Sequence, residues 1–308
     1  MKALAKYIVR GHWQAVLVTA ICGMLMFTLP PFTTLLNYLA AAAVALVTLQ
    51  IGIKQGLQVL LVAAVLTVLF YLLFGIQAAA VMIMFLWLPV WLLAVVLQYT
   101  GQLDRTLSSA ALFGVLLLLG VYGLLGDPVP WWIERLHAIK IVLEQAGLPA
   151  DVFADDQLVR EIAALMTGLV IASLVVGVLG SLLLARWWQS VLVHPGGFQD
   201  EYYDLRIGKY FGMLTLLVML ATRVADSAAG EVLAQLAMIM LVPCLLVGLA
   251  VIHKVVRQNN YSKAWLAVVY VALAVWPPAT LLLAGAGLLD TWVDFRRRLQ
   301  SRSAGNGQ

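Results

Sequence analysis

The chain has 308 residues, of which 63% are hydrophobic and only 11% are charged. A soluble domain carries roughly 45–50% apolar and about 25% charged residues, so this composition, with a mean hydropathy of +0.98, excludes a soluble globular protein and indicates a membrane protein. The formal net charge is +4, but the bases flank apolar runs, a placement that indicates membrane orientation and excludes nucleic acid as a partner.

The apolar runs predict an all-α bundle of membrane spans, because a spanning helix needs about 20 apolar residues. The first run follows Lys2, Lys6 and Arg10 like a signal peptide, but it continues to Leu29 and is interpreted as an uncleaved helix. With this first run included, there are eight candidate spans before residue 253. In chain order they are Trp13–Leu29, Phe32–Leu49, Leu57–Phe74, Ile76–Leu97, Leu107–Leu125, Ile162–Trp187, Tyr210–Ala225 and Val232–Ile252.

The last apolar stretch, Trp265–Val293, is too long for one simple span and contains Pro277 and Pro278. A similar pair of prolines lies in "LPPFT", Leu29–Thr33, between the first two spans. Consecutive prolines remove backbone donors and end or kink a helix. The stretch is therefore either one kinked helix, for nine spans in all, or a hairpin of two short helices, for ten.

The distribution of basic residues favours ten spans. With a cytoplasmic N-terminus, ten spans place 15 of the 19 bases in the cytoplasm, leaving outside only Arg135, Lys140, Arg160 and Arg223. Nine spans would also move the four C-terminal arginines outside, for 11 bases against 8. The positive-inside rule thus predicts ten spans with both termini cytoplasmic, and nine is the alternative.

Residues 126–161 form the one long extramembrane segment, on the outer face. The run "PWWIERLHAIKIVLEQAG" predicts an amphipathic helix that lies on the membrane or across the mouth of the bundle, with Gly147 after its end. Its apolar stripe contains Trp132, Leu136, Ile139 and Leu143. Either Asp155 or Asp156 can cap the helix that follows.

This segment divides the chain. Residues 1–125 form a five-span N-terminal half, residues 126–161 form the amphipathic segment, and residues 162–298 form a C-terminal half with a cytoplasmic loop at 188–209. The tail, residues 299–308, is predicted to be disordered.

The cytoplasmic loop contains the least membrane-like stretch of the chain, "HPGGFQDEYYDLRIGK", His194–Lys209. A turn at Pro195–Gly197 is predicted to precede a short helix over Asp200–Lys209, with Tyr202 and Arg206 four residues apart. Three interpretations of this loop are open. It is a docking surface, a lid over a cytoplasmic cavity, or a loop that only connects the sixth and seventh spans. The candidate docking residues here and in "GLLDTWVDFRRR" are Tyr202, Tyr203, Arg206, Asp290, Asp294 and Arg296.

Four other polar residues are candidates for binding a ligand: Asn37, Arg223, Asp226 and Glu231. Arg223 and Asp226 either form a surface pair or line an outward cavity with Glu231. Asn37 lies inside an early span, where an amide hydrogen-bonds either a neighbouring helix or a ligand.

No catalytic constellation is present in the sequence. Cys22 and Cys244 lie in apolar runs, typical of buried small residues. The four histidines make no metal-spaced pair, and there is no phosphate-binding loop. The sequence therefore predicts a protein that is not an enzyme and has no metal or cofactor.

Three stretches carry a family resemblance: "LARWWQSVLVHPGGFQDEYYDLRIGK", "GLAVIHKVV" and "GLLDTWVDFRRR". They resemble the YybS-like family (DUF2232), bacterial inner-membrane proteins of unknown function. That family is grouped by similarity with the substrate-binding components of energy-coupling-factor transporters and with the rod-shape protein MreD. The resemblance implies a transporter-like helical fold in the inner membrane. Ala41 and Ala45 fit the A-x-x-x-A spacing with which such components pair with their transporter.

Two functions are consistent with these features. The first is a transporter-like protein that binds a small solute or a lipid between half-helices near the two Pro-Pro breaks, acting with a coupling ATPase complex or a gradient. The alternative is a membrane scaffold or assembly protein of the MreD type, without transport activity, whose partners are other inner-membrane proteins.

Overall fold

A computed structural model describes residues 1–26, 33–75 and 77–293, and it gives side chains for all of these except 33–34, 77–84, 152 and 227. Over these ranges the chain is helical and contains no β-strand. The α-helices are α1 (Lys2–Ile8), α2 (His12–Leu25), α3 (Thr33–Gln50), α4 (Ile53–Leu73), α5 (Gln77–Thr100), α6 (Leu103–Leu125), α7 (Val129–Gln145), α8 (Asp156–Val193), α9 (Gly197–Tyr203), α10 (Lys209–Ala221), α11 (Ser227–Gln258), α12 (Ala264–Val275) and α13 (Pro277–Val293).

Helix α3 forms the centre of the bundle and packs against α2, α4, α5 and α8. Every residue from Ala40 to Val47 is at most 1% exposed, because the run of alanines lets four neighbouring helices approach one backbone. Ala41 and Ala45 therefore contact helices of the same chain. This A-x-x-x-A face is not available to a partner protein.

Two helices longer than a membrane span, α8 and α11, pack against each other. Arg160 faces Glu231 at 3.5 Å, and the Gln235 side-chain amide donates to the Ala164 carbonyl at 2.7 Å. Because residue numbers rise together along both helices, α8 and α11 run parallel. Helix α3 runs the same way, since Tyr38 packs on Gly177 and Gln189 donates to the Leu49 carbonyl at 2.9 Å.

Helices α11 and α13 cross with their backbones in direct contact. A Cβ added at Gly248 would overlap the Leu283 carbonyl, and one added at Gly287 would overlap the carbonyl of Cys244. Small residues permit this approach, as the Ala284–Gly287 cluster predicted. The pairing of Gly248 with Leu283 and of Gly287 with Cys244 also makes the two helices antiparallel.

The prediction of ten spans is not confirmed. Within the described ranges four helices are long and apolar enough to cross a membrane, namely α4, α6, α8 and α11. Two pairs of helices, α1–α2 and α12–α13, are each bent by 120° and would raise that number to six. Three apolar helices are shorter over the residues tested, namely Leu35–Gln50, Phe85–Thr100 and Lys209–Ala221.

Of the two proline breaks, only the second lies within the described residues. Residues 27–32, with the first break, lie outside the described residues. At the second break, Trp276 is extended and α13 begins at Pro277, so the prolines end one helix and start another. In a ten-span hairpin α13 would run parallel to α11. The observed antiparallel direction does not match that hairpin, and the 120° bend makes α12 and α13 either a broken span or a re-entrant loop.

The predicted amphipathic helix is present as α7. Gly147 has a φ of +70°, and the Leu148 N–H donates to the Leu143 carbonyl at 2.9 Å, which confirms the glycine stop. The first half of α7 packs on α8 through Val129 and Leu136. The Asp155 carboxylate accepts from the Gln157 and Leu158 N–H groups and therefore caps α8.

The second half of the predicted stripe does not pack on the bundle. Ile139 is 47% exposed, Leu143 is only partly buried, and neither belongs to the cluster between α7 and α8. The stripe continues along α7, but only its first turns lie over α8.

Candidate functional site

The segment between α8 and α10 folds back against the bundle. Its helix, α9 (Gly197–Tyr203), is shorter and earlier than the predicted Asp200–Lys209 helix. The prediction was wrong because Leu205 and Ile207 are buried in the core at 3% and 5% exposure. Residues 205–208 have no regular secondary structure, and this stretch packs the two side chains, two positions apart, into the core instead of continuing the helix. The predicted turn is confirmed, with Gly196 at a φ of +95°.

Three ion pairs hold α9 and its end to the two long helices. The Arg186 guanidinium on α8 lies 2.9 Å from the Glu201 carboxylate. On α11, Lys254 Nζ lies 2.6 Å from Asp204 and the Arg257 guanidinium lies 2.9 Å from Asp200. The acids of the segment thus pair with bases of their own chain.

An aromatic cluster surrounds His253 on α11. Its ring centroid is 5.8 Å from that of Tyr202, 6.5 Å from that of Tyr203 and 5.9 Å from that of Tyr270 on α12. His253 Nδ1 lies 2.8 Å from the Leu249 carbonyl, and its Nε2 lies 3.4 Å from the Tyr270 hydroxyl. The Arg257 guanidinium lies 5.2 Å above the Tyr203 ring, in a cation–π contact. The cluster joins α9, α11 and α12.

Beneath α9 lies a groove with an apolar part and a polar part, which we call the α9 groove. The apolar part, of about 450 Å³, is lined by Leu183, Leu184, Trp187, Phe198, Gln199, Tyr202, Tyr203, Leu246, Leu249, His253 and Tyr270. The polar part, of about 400 Å³, is lined by Asp200, Tyr203, Asp204, Lys254, Arg257 and Gln258. Tyr203 belongs to both parts. A ligand that fits both would have an apolar body and a polar or charged end.

The predicted docking residues do not form one surface. Tyr202 and Tyr203 line the groove, and the Tyr202 hydroxyl lies 3.4 Å from the Leu246 carbonyl. Arg206 is exposed beyond the end of α9. Asp290 is buried in α13 at 4% exposure, and Asp294 and Arg296 lie outside the described residues.

The four predicted ligand-binding residues are not brought together. Asn37 Oδ1 accepts a hydrogen bond from the Trp87 indole at 2.8 Å, so its partner is a neighbouring helix. Glu231 pairs with Arg160 of α8, whereas Arg223 and Asp226 are exposed at the turn between α10 and α11. The structure therefore does not place these four residues in a single site, and ligand binding by any of them stays a prediction.

Sequence reasoning missed His253, Lys254, Arg257 and Tyr270. The pair His253–Lys254 looked like an anchor at the end of a span, since aromatic and basic residues are common at that position. The available signal was the spacing of His253 and Arg257, which puts both on one face of α11. In the described part of the chain, no three histidine, cysteine or acidic side chains are grouped so as to hold a metal ion.

Comparison with known families identifies the family of this chain. The family model described as "Predicted membrane protein (DUF2232)" matches residues 17–291. The chain belongs to this family. No curated protein matches the chain significantly, and neither does any solved structure. Membership agrees with the helical, apolar fold: the molecule is a helical membrane protein of the DUF2232 family.

Proposed function

We propose that this DUF2232 protein is a transporter-like protein, not an enzyme, that binds an amphiphilic solute or lipid in the α9 groove. The observation that carries the proposal is that the two parts of the groove adjoin at Tyr203. Leucine and aromatic side chains line one part, two bases and two acids line the other, and Tyr203 is shared between them. Few polar groups in a mostly apolar pocket are typical of ligand sites.

This location replaces the predicted site between the proline-broken half-helices. The second break is open to the surroundings, with Val275 at 77% and Trp276 at 54% exposure. The centre of the bundle is filled by α3, whose residues from Ala40 to Val47 leave no room for a ligand. The α9 groove, in contrast, combines apolar walls with four charged side chains.

The charge distribution supports a cytoplasmic position for the groove in a bacterial inner membrane. Lys54 begins α4 and Arg105 begins α6, at the end of the bundle where α8 and α11 finish. That end also has Arg186, Lys254, Arg257 and Lys263, whereas Arg135, Lys140, Arg160 and Arg223 lie at the end with α7. Bases concentrate on the cytoplasmic side of membrane proteins.

Helix α9 is suited to act as a lid over this groove. Asp200 and Asp204 are more than 70% exposed, and exposed ion pairs contribute only about 0.2–1 kcal/mol each. A charged end of a ligand can therefore replace one of them on Arg257 or Lys254. Gly196, at positive φ, precedes the helix and provides a hinge.

Mass spectrometry of molecules that co-purify with the full chain in mild detergent tests the proposal. Leu184→Trp fills the apolar part of the groove, and Leu214→Trp adds the same ring to an exposed position of α10. We expect one amphiphile, enriched over bulk lipid, with the wild type and Leu214→Trp but lost with Leu184→Trp. Equal retention by both variants, at equal melting temperatures, would refute the site.

A scaffold role is the second candidate, and α12 is the observation in its favour. None of its residues is buried, and Trp265, Val268 and Val271 are 57–62% exposed at helical spacing. Such a face can pack against another membrane protein. If another membrane protein packs on this face, a photoreactive residue in place of Val268 should cross-link to it and give a protein adduct of defined mass. A stoichiometric ATPase among the co-purified proteins would instead support a transporter component.

A further inference from the structure

A second cleft lies at the opposite end of the bundle, between α6, α7 and α8. We call it the α7 cleft. It has a volume of about 470 Å³ and is lined by Val121, Leu125, Asp127, Pro128, Trp131, Trp132, Thr167, Val170 and Ile171. The Trp132 indole donates to the Thr167 hydroxyl at 2.8 Å, which fixes α7 over the cleft.

The walls of the α7 cleft continue into the membrane-facing surface of the protein. Leu125 is 76% exposed at the end of α6, and Val170 is 48% exposed on α8. Both helices are long and apolar enough to span a membrane, so such side chains contact acyl chains. The Asp127 carboxylate binds the backbone at the start of α7, since its Oδ1 accepts a hydrogen bond from the Val129 N–H at 3.0 Å. The cleft therefore suits an apolar chain entering from the side.

The rim of the cleft has the residues expected at the headgroup layer. Trp131 is half exposed, and the Arg135 guanidinium lies 5.0 Å above its ring. Tryptophan concentrates at membrane interfaces, and a guanidinium binds phosphate oxygens through paired N–H donors. Arg135 is one helical turn beyond the cleft on α7, where the phosphate of a lipid whose chain fills the cleft would lie.

We propose that the α7 cleft binds one acyl chain of a phospholipid from the leaflet opposite α9, with the lipid phosphate on Arg135. This site is separate from the α9 groove and does not depend on its ligand. Its occupant is a lipid resident in the membrane. The lipid fills the space that α7 leaves over α6 and α8, and so it stabilises the position of α7.

Two adjacent residues allow a controlled test. Leu125 lines the cleft, whereas Leu124, 87% exposed, does not, and the two lie at the same depth. The photoreactive amino acid p-benzoylphenylalanine is placed at either position in the full chain, which is irradiated in native membranes and analysed for lipid adducts by mass spectrometry. We expect a several-fold higher yield of a phospholipid adduct at position 125. Val170→Trp, which fills the cleft, should remove this excess and leave the yield at 124 unchanged.

Substitutions of Arg135 test its contact with the lipid phosphate separately. Arg135→Gln should lower the phospholipid adduct at position 125 several-fold, and Arg135→Lys should retain part of it, because the positive charge remains but the paired N–H donors are lost. Equal yields and equal lipid compositions at 124 and 125 would show ordinary boundary lipid and would overturn the proposal. An excess at 125 that Val170→Trp does not change would overturn it as well.

Discussion

At the scale of single residues, two glycines set how closely α11 and α13 approach. Gly287→Ala would place a methyl group against the Cys244 carbonyl and the Gly248 N–H. Overpacking of this kind costs about 1–3 kcal/mol. We therefore expect a lower melting temperature in detergent. Gly285→Ala is the control on the same helix, since an added Cβ there meets nothing within 4 Å. Equal melting of the two variants would contradict the crossing.

Asn37 shows how a polar residue in a span can be structural. It accepts from the Trp87 indole, and Trp87 is 1% exposed. Asn37→Ala leaves that N–H buried without its acceptor, which costs about 1–3 kcal/mol. In a Trp87→Phe background the donor is absent, so the same substitution should have a smaller effect. Thermal unfolding of the four proteins measures this coupling, and additive effects would argue against the hydrogen bond.

At the scale of elements, α9 is held by contacts that individually contribute little. Arg257→Gln removes the pair with Asp200 and the contact with Tyr203. We expect hydrogen exchange in residues 197–203 to rise roughly 1.5- to 5-fold, as for an exposed pair of about 0.2–1 kcal/mol. Lys263→Gln removes a base from the same end and should leave the exchange unchanged. The wild-type exchange should also rise with salt, which screens exposed charges.

The start of α8 depends on one of two adjacent acids. Asp155 accepts hydrogen bonds from two backbone N–H groups, whereas Asp156 is the first residue of the helix. Asp155→Ala should cost about 0.5–2 kcal/mol and increase exchange in the first turn of α8. Asp155→Ser should retain most of the stability, because a hydroxyl also caps. Asp156→Ala is the matched control and should have a smaller effect, and a reversed order would contradict the assignment.

At the scale of the whole molecule, the side of the membrane on which each end lies can be measured. In a chain with Cys22 and Cys244 replaced by alanine, we introduce Gln199→Cys on α9 and Ala138→Cys on α7. An impermeant maleimide added to spheroplasts should label position 138, and position 199 only after the membrane is opened. The opposite pattern would invert the proposed orientation. A C-terminal reporter then decides whether α12 and α13 cross once or return.

The sequence predicted elements best where a local cause acts alone. Gly147 and Asp155 mark helix ends because each satisfies backbone groups within a few residues of itself. The α9 helix was predicted too late in the chain because the pattern also fits a helix up to Lys209. Only the burial of Leu205 and Ile207 in the core explains why residues 205–208 are not helical. Charge counting favoured ten spans, whereas the direction of α13 follows from the pairing of Leu283 with Gly248 and of Gly287 with Cys244, which the sequence pattern does not specify.

By itself, the sequence determined that this is an all-helical membrane protein with an amphipathic helix at one end, and it determined the family. Composition, run length and capping suffice for the helical class and the amphipathic helix, because these depend on the solvent and on neighbours along the chain, whereas the family rests on the resemblance of three motifs. Only the tertiary structure decided that Tyr202 and Tyr203 meet His253, that Glu231 meets Arg160, and that Asn37 meets Trp87. Each partner lies on another helix, up to 71 residues away, and apolar periodicity does not specify which helix faces meet.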